Sequence, residues 1–515
     1  MTSFLLCVAG IILPLSPKLI QVHNADMPDS IPPKPIVLDP SAPRDMEPEI
    51  ETPHPFQVYV VTPIRSFRAF LLCLALAAGL AYLPPWPNLE IAAQRSLFIL
   101  FFAAALWITE ALPAFAVAVL IMALQIALLG HPGGAFAKDA DDWEMFVQPW
   151  ASPVMWLFFA GFVLASAAVK TGLDRRMALA VLSRIPPRPG IILFAVMAIT
   201  FTFSMFMSNT ATAAMMLAVI SPLVLNMDKD DRFAGGLTLS VAFGASIGGM
   251  GTIIGTPPNA IAAGALAKVQ AVTFAEWIGA ALPVAIAMAA IMWTYLYFRY
   301  PSKQKFVNFE LLRKSAEEEV DVPSWQILFV PIVFTITVLL WLTTSIHGIP
   351  STVVSFVPIT ALVVAKVTDA NDIRRLPWDV LLLLAGGISL GVGVSETGLA
   401  KWLVAMIPVD NLPLMALASV LALVTLWMSN FMSNTAAANI LIPLGMAIAG
   451  PGNAPPVVIA IALGASSAFL LPSSTPPNAI AYSVGRIKIR DFVEIGVFMG
   501  VVAPIIISVW LLFYY

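Results

Sequence analysis

The chain has 515 residues, of which 59% are hydrophobic and 11% are charged, and its mean hydropathy is +0.89. This composition predicts an all-helical, polytopic membrane protein, because a spanning helix needs about 20 mostly apolar residues. The formal net charge of −3 and the lack of a long basic run argue against a nucleic-acid partner. Cys7 and Cys73 are too few for a disulfide framework or a thiolate metal site.

The N-terminal extension, residues 1–63, differs in composition from the rest of the chain. An apolar stretch at 4–15 is followed by a proline-rich, mixed-charge tract at 28–55, which we predict to be disordered. The apolar stretch lacks a basic region and a clear cleavage site. Both a signal-like segment and a start assigned too far upstream, with Met27 or Met46 as the true start, remain open.

Eleven apolar segments follow the extension and are predicted to cross the membrane. Two further stretches, 190–226 and 412–446, carry polar triplets near their middles, and each arm is short for a crossing. We therefore predict that these two are re-entrant hairpins. The eleven segments are 68–84, 96–111, 113–130, 152–172, 237–272, 279–298, 325–345, 351–367, 379–399, 457–485 and 492–513.

Polar, helix-breaking motifs recur in the same order in the two halves of the chain. Five predicted crossings separate residue 152, where the first unit begins, from residue 379, where the second begins. An odd number reverses direction, so two inverted-topology repeats are predicted, with hairpin tips that meet near the midplane. The motifs are Ser208-Asn209-Thr210 and Thr256-Pro257-Pro258-Asn259, then Ser433-Asn434-Thr435 and Thr475-Pro476-Pro477-Asn478.

These patterns predict six parts of the chain and an orientation. Basic loops at 65–68, 175–188 and 299–314 indicate a cytoplasmic N-terminus, the acidic loop at 139–144 is then outside, and the C-terminus is outside. The expected location is the plasma membrane, or the inner membrane of a bacterium. The parts are the extension 1–63, N-terminal scaffold helices 64–150, a first repeat 151–299, a cytoplasmic linker 300–324, scaffold helices 325–378 and a second repeat 379–515.

The polar motifs predict helix starts that attract an anion. In each triplet, cap-forming residues precede strong helix formers, and a helix N-terminus presents unpaired N–H groups. Thr256 and Thr475 each precede a proline, which suits the first helical position. Four helix starts would then form one substrate site. Desolvating a dianion at low dielectric is costly, so a compensating cation such as sodium is expected beside it.

At these residues the chain resembles the divalent-anion/sodium symporter family, which carries dicarboxylates, citrate or sulfate. The resemblance covers about residues 65–515 and includes the stretch from Trp107 to Pro113. It implies a homodimer, and it implies a substrate site made by both triplets. It also implies two sodium sites. The substrate residues are Ser208, Asn209, Thr210, Ser433, Asn434 and Thr435; the sodium ligands are Ser204, Ser208, Asn209, Gly255 and Pro257 for one ion, and Ser429, Met432, Asn434, Ser474 and Pro476 for the other.

One departure from the family pattern concerns the second sodium site. Ser429 and Asn430 stand where members of the family often have threonine followed by another residue. A hydroxyl is retained at the first of these positions. The inferred sodium site therefore keeps its hydroxyl ligand.

Sodium symport of a C4-dicarboxylate such as succinate is the leading functional hypothesis. A sodium-independent exchanger, a proton-coupled carrier using Glu110, and an arsenite or sodium/proton transporter of related architecture remain alternatives. An enzyme is not expected, because the polar midplane residues contain no paired acids, clustered histidines or activated nucleophile. The motifs recognise anionic ends and do not choose among succinate, malate, fumarate, citrate, sulfate and tartrate.

Overall fold

The computed structural model describes residues 63–306, 322–406 and 413–515, apart from positions 229 and 268. The predictions for the N-terminal extension and for most of the linker 300–324 fall outside these ranges. Within them every regular element is helical, so the all-helical class is confirmed.

The described part of the first half forms ten α-helices. Two short 3₁₀ helices, Asp142–Phe146 and Gln148–Ala151, lie in the loop before the fourth. The ten are α1 (Pro63–Tyr82), α2 (Ile91–Thr109), α3 (Ala114–Leu128), α4 (Pro153–Lys170), α5 (Leu173–Leu182), α6 (Pro189–Ser204), α7 (Asn209–Leu225), α8 (Arg232–Gly249), α9 (Pro257–Leu266) and α10 (Phe274–Arg299).

The described part of the second half forms twelve more. A 3₁₀ turn, Pro451–Asn453, precedes one of them. They are α11 (Ser324–Leu342), α12 (Thr344–His347), α13 (Ser351–Val354), α14 (Phe356–Val364), α15 (Ala370–Arg374), α16 (Trp378–Glu396), α17 (Leu399–Met406), α18 (Leu414–Ser429), α19 (Asn434–Ala449), α20 (Ala454–Ala465), α21 (Pro476–Ser483) and α22 (Ile489–Tyr514).

Seven of the described helices are long and apolar enough to cross a membrane: α2, α4, α7, α10, α11, α16 and α22. One of them, α7, is the second arm of the stretch 190–226, so the expectation that this arm is too short for a crossing is wrong. Two segments predicted as single crossings, 237–272 and 457–485, are instead each divided into two helices. The second helix of each pair begins at a proline, Pro257 or Pro476. Proline has no N–H to donate, and its ring clashes with the carbonyl one turn earlier, so a continuous helix cannot pass through it without a kink.

The helices α8 and α20 form the centre of the fold, because every residue from Phe233 to Gly249 and from Ala454 to Ala465 is buried. Helix α8 lies very close to α6, and α20 lies very close to α18; α6 and α18 are the helices that precede the two polar triplets. A Cβ added to Gly244 would lie 3.1 Å from the Met197 carbonyl oxygen of α6, and one added to Gly464 would lie 2.5 Å from the Ala422 carbonyl oxygen of α18. Glycine at these positions therefore allows the backbones to approach.

A buried polar ladder fastens α16 to α2 and α3. The Ser389 hydroxyl donates to Gln125 Oε1 at 2.6 Å, and Gln125 Nε2 donates to the Ser389 carbonyl at 2.9 Å. Eight residues after Ser389, at the C-terminal end of α16, Thr397 Oγ1 lies 3.0 Å from Ser96 Oγ. The paired groups are buried, so breaking one bond would leave an unsatisfied polar atom and cost about 1–3 kcal/mol.

Arg486, in the loop between α21 and α22, caps the C-terminal end of α7. Its guanidinium donates to the carbonyls of Val224 at 2.9 Å, Leu225 at 3.2 Å and Met227 at 2.9 Å. A cation at this end also complements the helix dipole. The base of the first hairpin is thus held by a residue of the second half.

An ion pair joins the end of α4 to the segment before α16. Lys170 Nζ lies 2.6 Å from Asp372 and 3.1 Å from Asp369. The hydrogen bond from Lys170 and those from the backbone hold the pKa of Asp369 below its usual range. Lys170 and Asp369 are solvent-exposed, and exposed pairs contribute little to stability.

Candidate functional site

Both polar triplets begin a helix, as the sequence predicts. Ser208 is the N-cap of α7, and its hydroxyl oxygen accepts from the Ala211 N–H at 3.2 Å. Ser433 is the N-cap of α19, and its hydroxyl oxygen accepts from the Ala436 N–H at 3.1 Å. Ser208 and Ser433 are exposed, so both helix starts are accessible from outside the packed interior.

A group of oxygens, here called the first oxygen cluster, surrounds the side chain of Asn209. Its amide group hydrogen-bonds with the Ser204 hydroxyl at 2.7 Å. The same amide position lies 3.2 Å from the Ala245 carbonyl oxygen and 3.3 Å from the Gly255 carbonyl oxygen. Ser204 and Ala245 have no exposed surface. The end of α6, the start of α7, α8 and the break after α8 each contribute one group.

The second oxygen cluster comprises Ser429, Asn434 and Ala465. The Ser429 hydroxyl lies 2.6 Å from Asn434 Oδ1 and 2.6 Å from the Ala465 carbonyl oxygen. The Ser-Asn spacing of five residues is the same as in the first cluster, and both carbonyls belong to a Gly-Ala-Ser sequence of the central helix. Equivalent backbone and side-chain groups therefore meet in both halves.

Oxygens exceed hydrogen-bond donors in the second cluster. A hydroxyl carries one proton, so Ser429 can donate to only one of its two neighbours. The two central helices and the helices after the breaks add further buried oxygens that have no hydrogen-bond partner among the described residues. An uncharged set of hydroxyl, amide and carbonyl oxygens suits an alkali cation. The unpartnered oxygens are Ser246 Oγ, Ser466 Oγ, Asn259 Oδ1 and Asn478 Oδ1.

The remaining predicted residues lie at helix starts around these clusters. Thr256 and Thr475 are the N-caps of α9 and α21, and both are buried; the Thr475 hydroxyl accepts from the Asn478 N–H at 3.4 Å. Pro257 and Pro476 occupy the first helical positions. Thr210 and Thr435 follow the two cluster asparagines, and Thr210 is exposed.

Not every predicted sodium ligand joins a cluster through a described hydrogen bond. Ser474 instead donates to the Asn430 carbonyl at 2.9 Å. Met432 is buried. In the described ranges, no hydrogen bond links Ser208, Pro257, Met432 or Pro476 to either cluster.

The asparagine that ends each Thr-Pro-Pro-Asn motif holds the helix break in shape, a role that we did not predict. Asn259 Nδ2 donates to the carbonyls of Gly249 at 3.0 Å and Thr252 at 2.7 Å. Asn478 Nδ2 donates to the Leu471 carbonyl at 3.1 Å. The signal was present in the sequence, because the same asparagine closes both motifs.

Helix α8, which precedes the first break, contacts the second break. The ring of Phe243, two residues before Ala245, packs against that of Phe469 with centroids 5.4 Å apart. Phe469 lies four residues after Ala465, within the second break. The helix that supplies a carbonyl to the first cluster therefore also contacts the segment beside the second.

Apolar spans, paired broken helices and polar hairpin turns define a helical membrane transporter. Residues 65–515 match the family described as the sodium:sulfate symporter transmembrane region, and the chain belongs to that family. The resemblance noted from the motifs is thus confirmed. The family and its named relatives are transporters, and the protein is not an enzyme.

Curated relatives cover most of the chain. An uncharacterised transporter of Haemophilus influenzae is 32% identical over 440 residues, which is 81% of this chain and 91% of the relative. The sodium-dependent dicarboxylate transporter SdcS of Staphylococcus saprophyticus is 27% identical, over 78% of this chain and 82% of its own length. SdcS of Staphylococcus aureus is 28% identical, over 82% and 85%.

Two solved structures share the fold at low sequence identity. The YdaH transporter of Alcanivorax borkumensis has a TM-score of 0.52 and 14% identity, and covers 78% of this chain and 99% of its own. MtrF of Neisseria gonorrhoeae has a TM-score of 0.52 and 12% identity, and covers 77% and 94%. This similarity concerns architecture alone.

Proposed function

We propose that the protein is a sodium-coupled symporter of a small divalent anion, with a C4-dicarboxylate such as succinate as the expected substrate. The observation that carries the proposal is that each accessible helix start lies directly beside an oxygen cluster. Ser208 and Ser433 begin the helices, while Asn209 and Asn434 contribute to the clusters. The names of the SdcS relatives support both sodium and dicarboxylate.

The substrate would be held by neutral donors at the two hairpin turns. Helix N-termini carry partial positive charge and free N–H groups, so each can receive one carboxylate without a permanent charge in the membrane. The hydroxyls of Thr210 and Thr435 and the helix starts at Thr256 and Thr475 add dipoles of the same sign. The two carboxylates of the substrate would then be bound by the two hairpin turns, one at each turn.

Sodium would bind in the two oxygen clusters. Its charge lowers the cost of desolvating the dianion at low dielectric, so the anion binds well only after the cation. Ala245 and Ala465 supply carbonyls to these proposed sites in addition to the predicted ligands. Coupling follows if the loaded form, and not the form with cation alone, moves between the two membrane faces.

The proposed topology has about eleven crossings and two re-entrant hairpins in inverted repeats, with the N-terminus cytoplasmic and the C-terminus outside. Each helix break then places carbonyls and helix starts near the midplane, as in other transporters built from inverted repeats. We further propose a homodimer in the plasma membrane, or in the inner membrane of a bacterium.

Uptake of labelled succinate into proteoliposomes tests the proposal. An inward sodium gradient should drive accumulation, potassium or choline should not replace it, and protein-free liposomes give the background. Equal uptake with sodium and choline would refute sodium coupling. Sulfate, citrate and malate added as competitors rank the anions.

The same vesicles test the alternatives. Preloading with unlabelled succinate would accelerate uptake without sodium in an exchanger. A proton-coupled carrier would respond to a pH gradient and lose this response in Glu110→Gln, although Glu110 is an exposed residue at the end of α2 and lies in neither cluster. An arsenite-type transporter would show no succinate uptake above that of protein-free liposomes.

A further inference from the structure

A cavity of about 490 Å³, here called the α16 cavity, lies between α9, α16, α17 and α19. Apolar residues such as Ile261 and Ile442 line most of it, and the polar residues that the structure describes in its lining are Ser395, Glu396 and Lys401. Its volume is within the range of about 300–1,000 Å³ that is usual for small-molecule sites. A dianion inside it would lose its hydration without gaining enough donors, so the cavity suits an apolar ligand rather than the proposed substrate.

The α16 cavity has a buried end and an exposed end. Along α16 its lining runs from Gly387, which is buried, to Ser395 and Glu396, which are exposed. The nine residues from Gly387 to Glu396 rise about 14 Å, at about 1.5 Å per residue. One leaflet of a bilayer has a hydrocarbon layer of about 15 Å, half of a core of about 30 Å. The depth of the cavity therefore matches one acyl chain of a lipid whose headgroup lies at the exposed end.

Two opposite charges stand at the exposed end of the α16 cavity. Glu396 is the last residue of α16, and Lys401 lies on α17. Within the described ranges neither side chain forms an ion pair or a hydrogen bond. The first repeat differs, because Lys170 precedes Thr-Gly-Leu there as Glu396 does in the second repeat, and it is bound by two aspartates. The charges at the α16 cavity are therefore available to a ligand that carries both signs.

We propose that the α16 cavity binds one acyl chain of a zwitterionic phospholipid with a primary ammonium headgroup, the phosphatidylethanolamine class. Lys401 would bind the lipid phosphate, as basic residues at a membrane surface do. The Glu396 carboxylate would accept charge-assisted hydrogen bonds from the lipid ammonium. A choline headgroup has no N–H to donate, and a glycerol headgroup carries no positive charge, so each matches the two side chains less well.

The bound chain would lie between two parts of the fold. Helix α16 is fastened to α2 and α3 by the buried polar ladder, whereas α9 follows the first break and α19 begins at the second hairpin turn. An apolar void between them forfeits van der Waals contacts, which an acyl chain restores. The lining includes no residue of either oxygen cluster, so lipid binding requires neither sodium nor dicarboxylate.

A variant that fills the α16 cavity provides the first test. A Cβ on Gly391 would lie 3.8 Å from Pro443 Cγ, an ordinary contact, so Gly391→Leu enters open space. Native mass spectrometry of delipidated protein titrated with phosphatidylethanolamine should show a tightly bound lipid in the wild type. Displacing two methylenes of its chain should weaken binding in Gly391→Leu by about 10-fold or more. An unchanged affinity in this variant would overturn the proposal.

The matched control places the same substitution outside the cavity. Gly79 lies within α1, and a Cβ there would lie 3.7 Å from Leu83 Cδ1, again an ordinary contact. Gly79→Leu should therefore keep the lipid affinity of the wild type. An equal loss in Gly79→Leu and Gly391→Leu would show that the lost lipid does not occupy the α16 cavity, and it would overturn the proposal.

Headgroup preference provides the second test. With equal acyl chains, the wild type should bind phosphatidylethanolamine more tightly than phosphatidylcholine or phosphatidylglycerol. Lys401→Gln should weaken the binding of phosphatidylethanolamine and phosphatidylglycerol alike, by about 5-fold for one basic residue beside a phosphate. Glu396→Gln should weaken phosphatidylethanolamine alone. Equal binding of the three lipids by the wild type, or an unchanged preference in Glu396→Gln, would overturn the proposal.

Cross-linking to the wild-type chain decides the question even if a variant does not fold. Phosphatidylethanolamine with a photoreactive group at the end of one acyl chain should label the lining at 261–265, 387–391 and 442–447. Labelling confined to exposed helix surfaces, such as that of α11, would mean that lipid only coats the protein and would overturn the proposal. These measurements use neither sodium nor succinate, so their outcomes are distinct from success or failure of the proposed transport function.

Discussion

The two hairpin turns are alike in the groups that they offer to ligands but differ in how they are supported. In the second turn Asn430 is almost fully buried, accepts from the Leu470 N–H at 2.8 Å and donates to the Leu426 carbonyl at 2.9 Å. In the first turn the equivalent position is Met205, whose side chain can make no such bonds. Its carbonyl instead accepts from the Thr252 hydroxyl.

This difference indicates that the residues of the oxygen clusters are constrained more tightly than the residues whose hydrogen bonds support the turns. A cluster needs oxygens at fixed positions around an ion, so serine, asparagine and a backbone carbonyl recur in both halves. Support needs only that each buried backbone group finds some partner. The Met205 and Asn430 carbonyls are therefore satisfied from different positions of their breaks, by Thr252 and Ser474.

The largest expected effect comes from removing either cluster amide. Asn209→Ala and Asn434→Ala should each reduce sodium-driven succinate uptake to background, because each deletes a cluster oxygen and a donor at a helix start. Asn226→Ala, at the far end of α7, provides a folded control whose uptake should remain near wild type. Near-normal transport by either cluster variant would show that its half of the molecule does not bind as proposed.

Much of the hairpin architecture could be predicted from the sequence. Cap residues before helix formers and Thr-Pro pairs are local signals, so the sequence predicts the starts of α7, α9, α19 and α21 where the structure has them. The pairing of serine with the asparagine five residues later is also local, and it occurs in both clusters.

The rest depends on contacts that leave no local trace. The carbonyls of Ala245 and Ala465 carry no side-chain signature. Gln125 and Ser389 pair across 264 positions of sequence, and nothing in either helix alone indicates the other. The breaks at 250–256 and 466–475 lie inside segments that the sequence predicts as single crossings, because the flanking residues are apolar, although the Thr-Pro pair at the end of each break indicates a helix start.

The next largest effect is expected from Gly248→Ala. It tests a close contact between α6 and α8 that has no glycine at the corresponding position in the second half. A Cβ on Gly248 would lie 2.2 Å from the Phe201 carbonyl oxygen and 2.6 Å from its Cα, so α6 and α8 must separate in Gly248→Ala. The expected cost is about 3 kcal/mol, together with loss of sodium-induced stabilisation in thermal melts.

The second half supplies the control for this variant. Its corresponding residue is Ala468, which already carries a Cβ and is buried. Ala468→Gly should cost under about 1 kcal/mol. Similar losses in Gly248→Ala and Ala468→Gly would contradict the difference in packing between the two halves.

A smaller effect is expected when Asn430 of the second turn is replaced by methionine, the residue at the equivalent position of the first turn. Asn430→Met leaves the Leu470 N–H buried without its acceptor, and the expected loss is about 2 kcal/mol. Denaturant unfolding in detergent measures this cost. Met205→Leu, an apolar exchange at the equivalent position, should change stability much less; if the two variants proved equal, Asn430 would have no special supporting role.

The smallest effect concerns a contact that joins the two halves. Arg486→Gln removes the cation at the end of α7, at an expected cost of about 1 kcal/mol. Hydrogen exchange should accelerate at the end of α7, where the guanidinium donates to the carbonyls of residues 224, 225, 227 and 228, and not at the end of α19. Arg486→Lys keeps the charge but not the planar fork, so its exchange should be intermediate. Equal acceleration at both hairpin bases would mean that Arg486 stabilises the fold generally; acceleration confined to α7 would show that the second half holds the first hairpin in place.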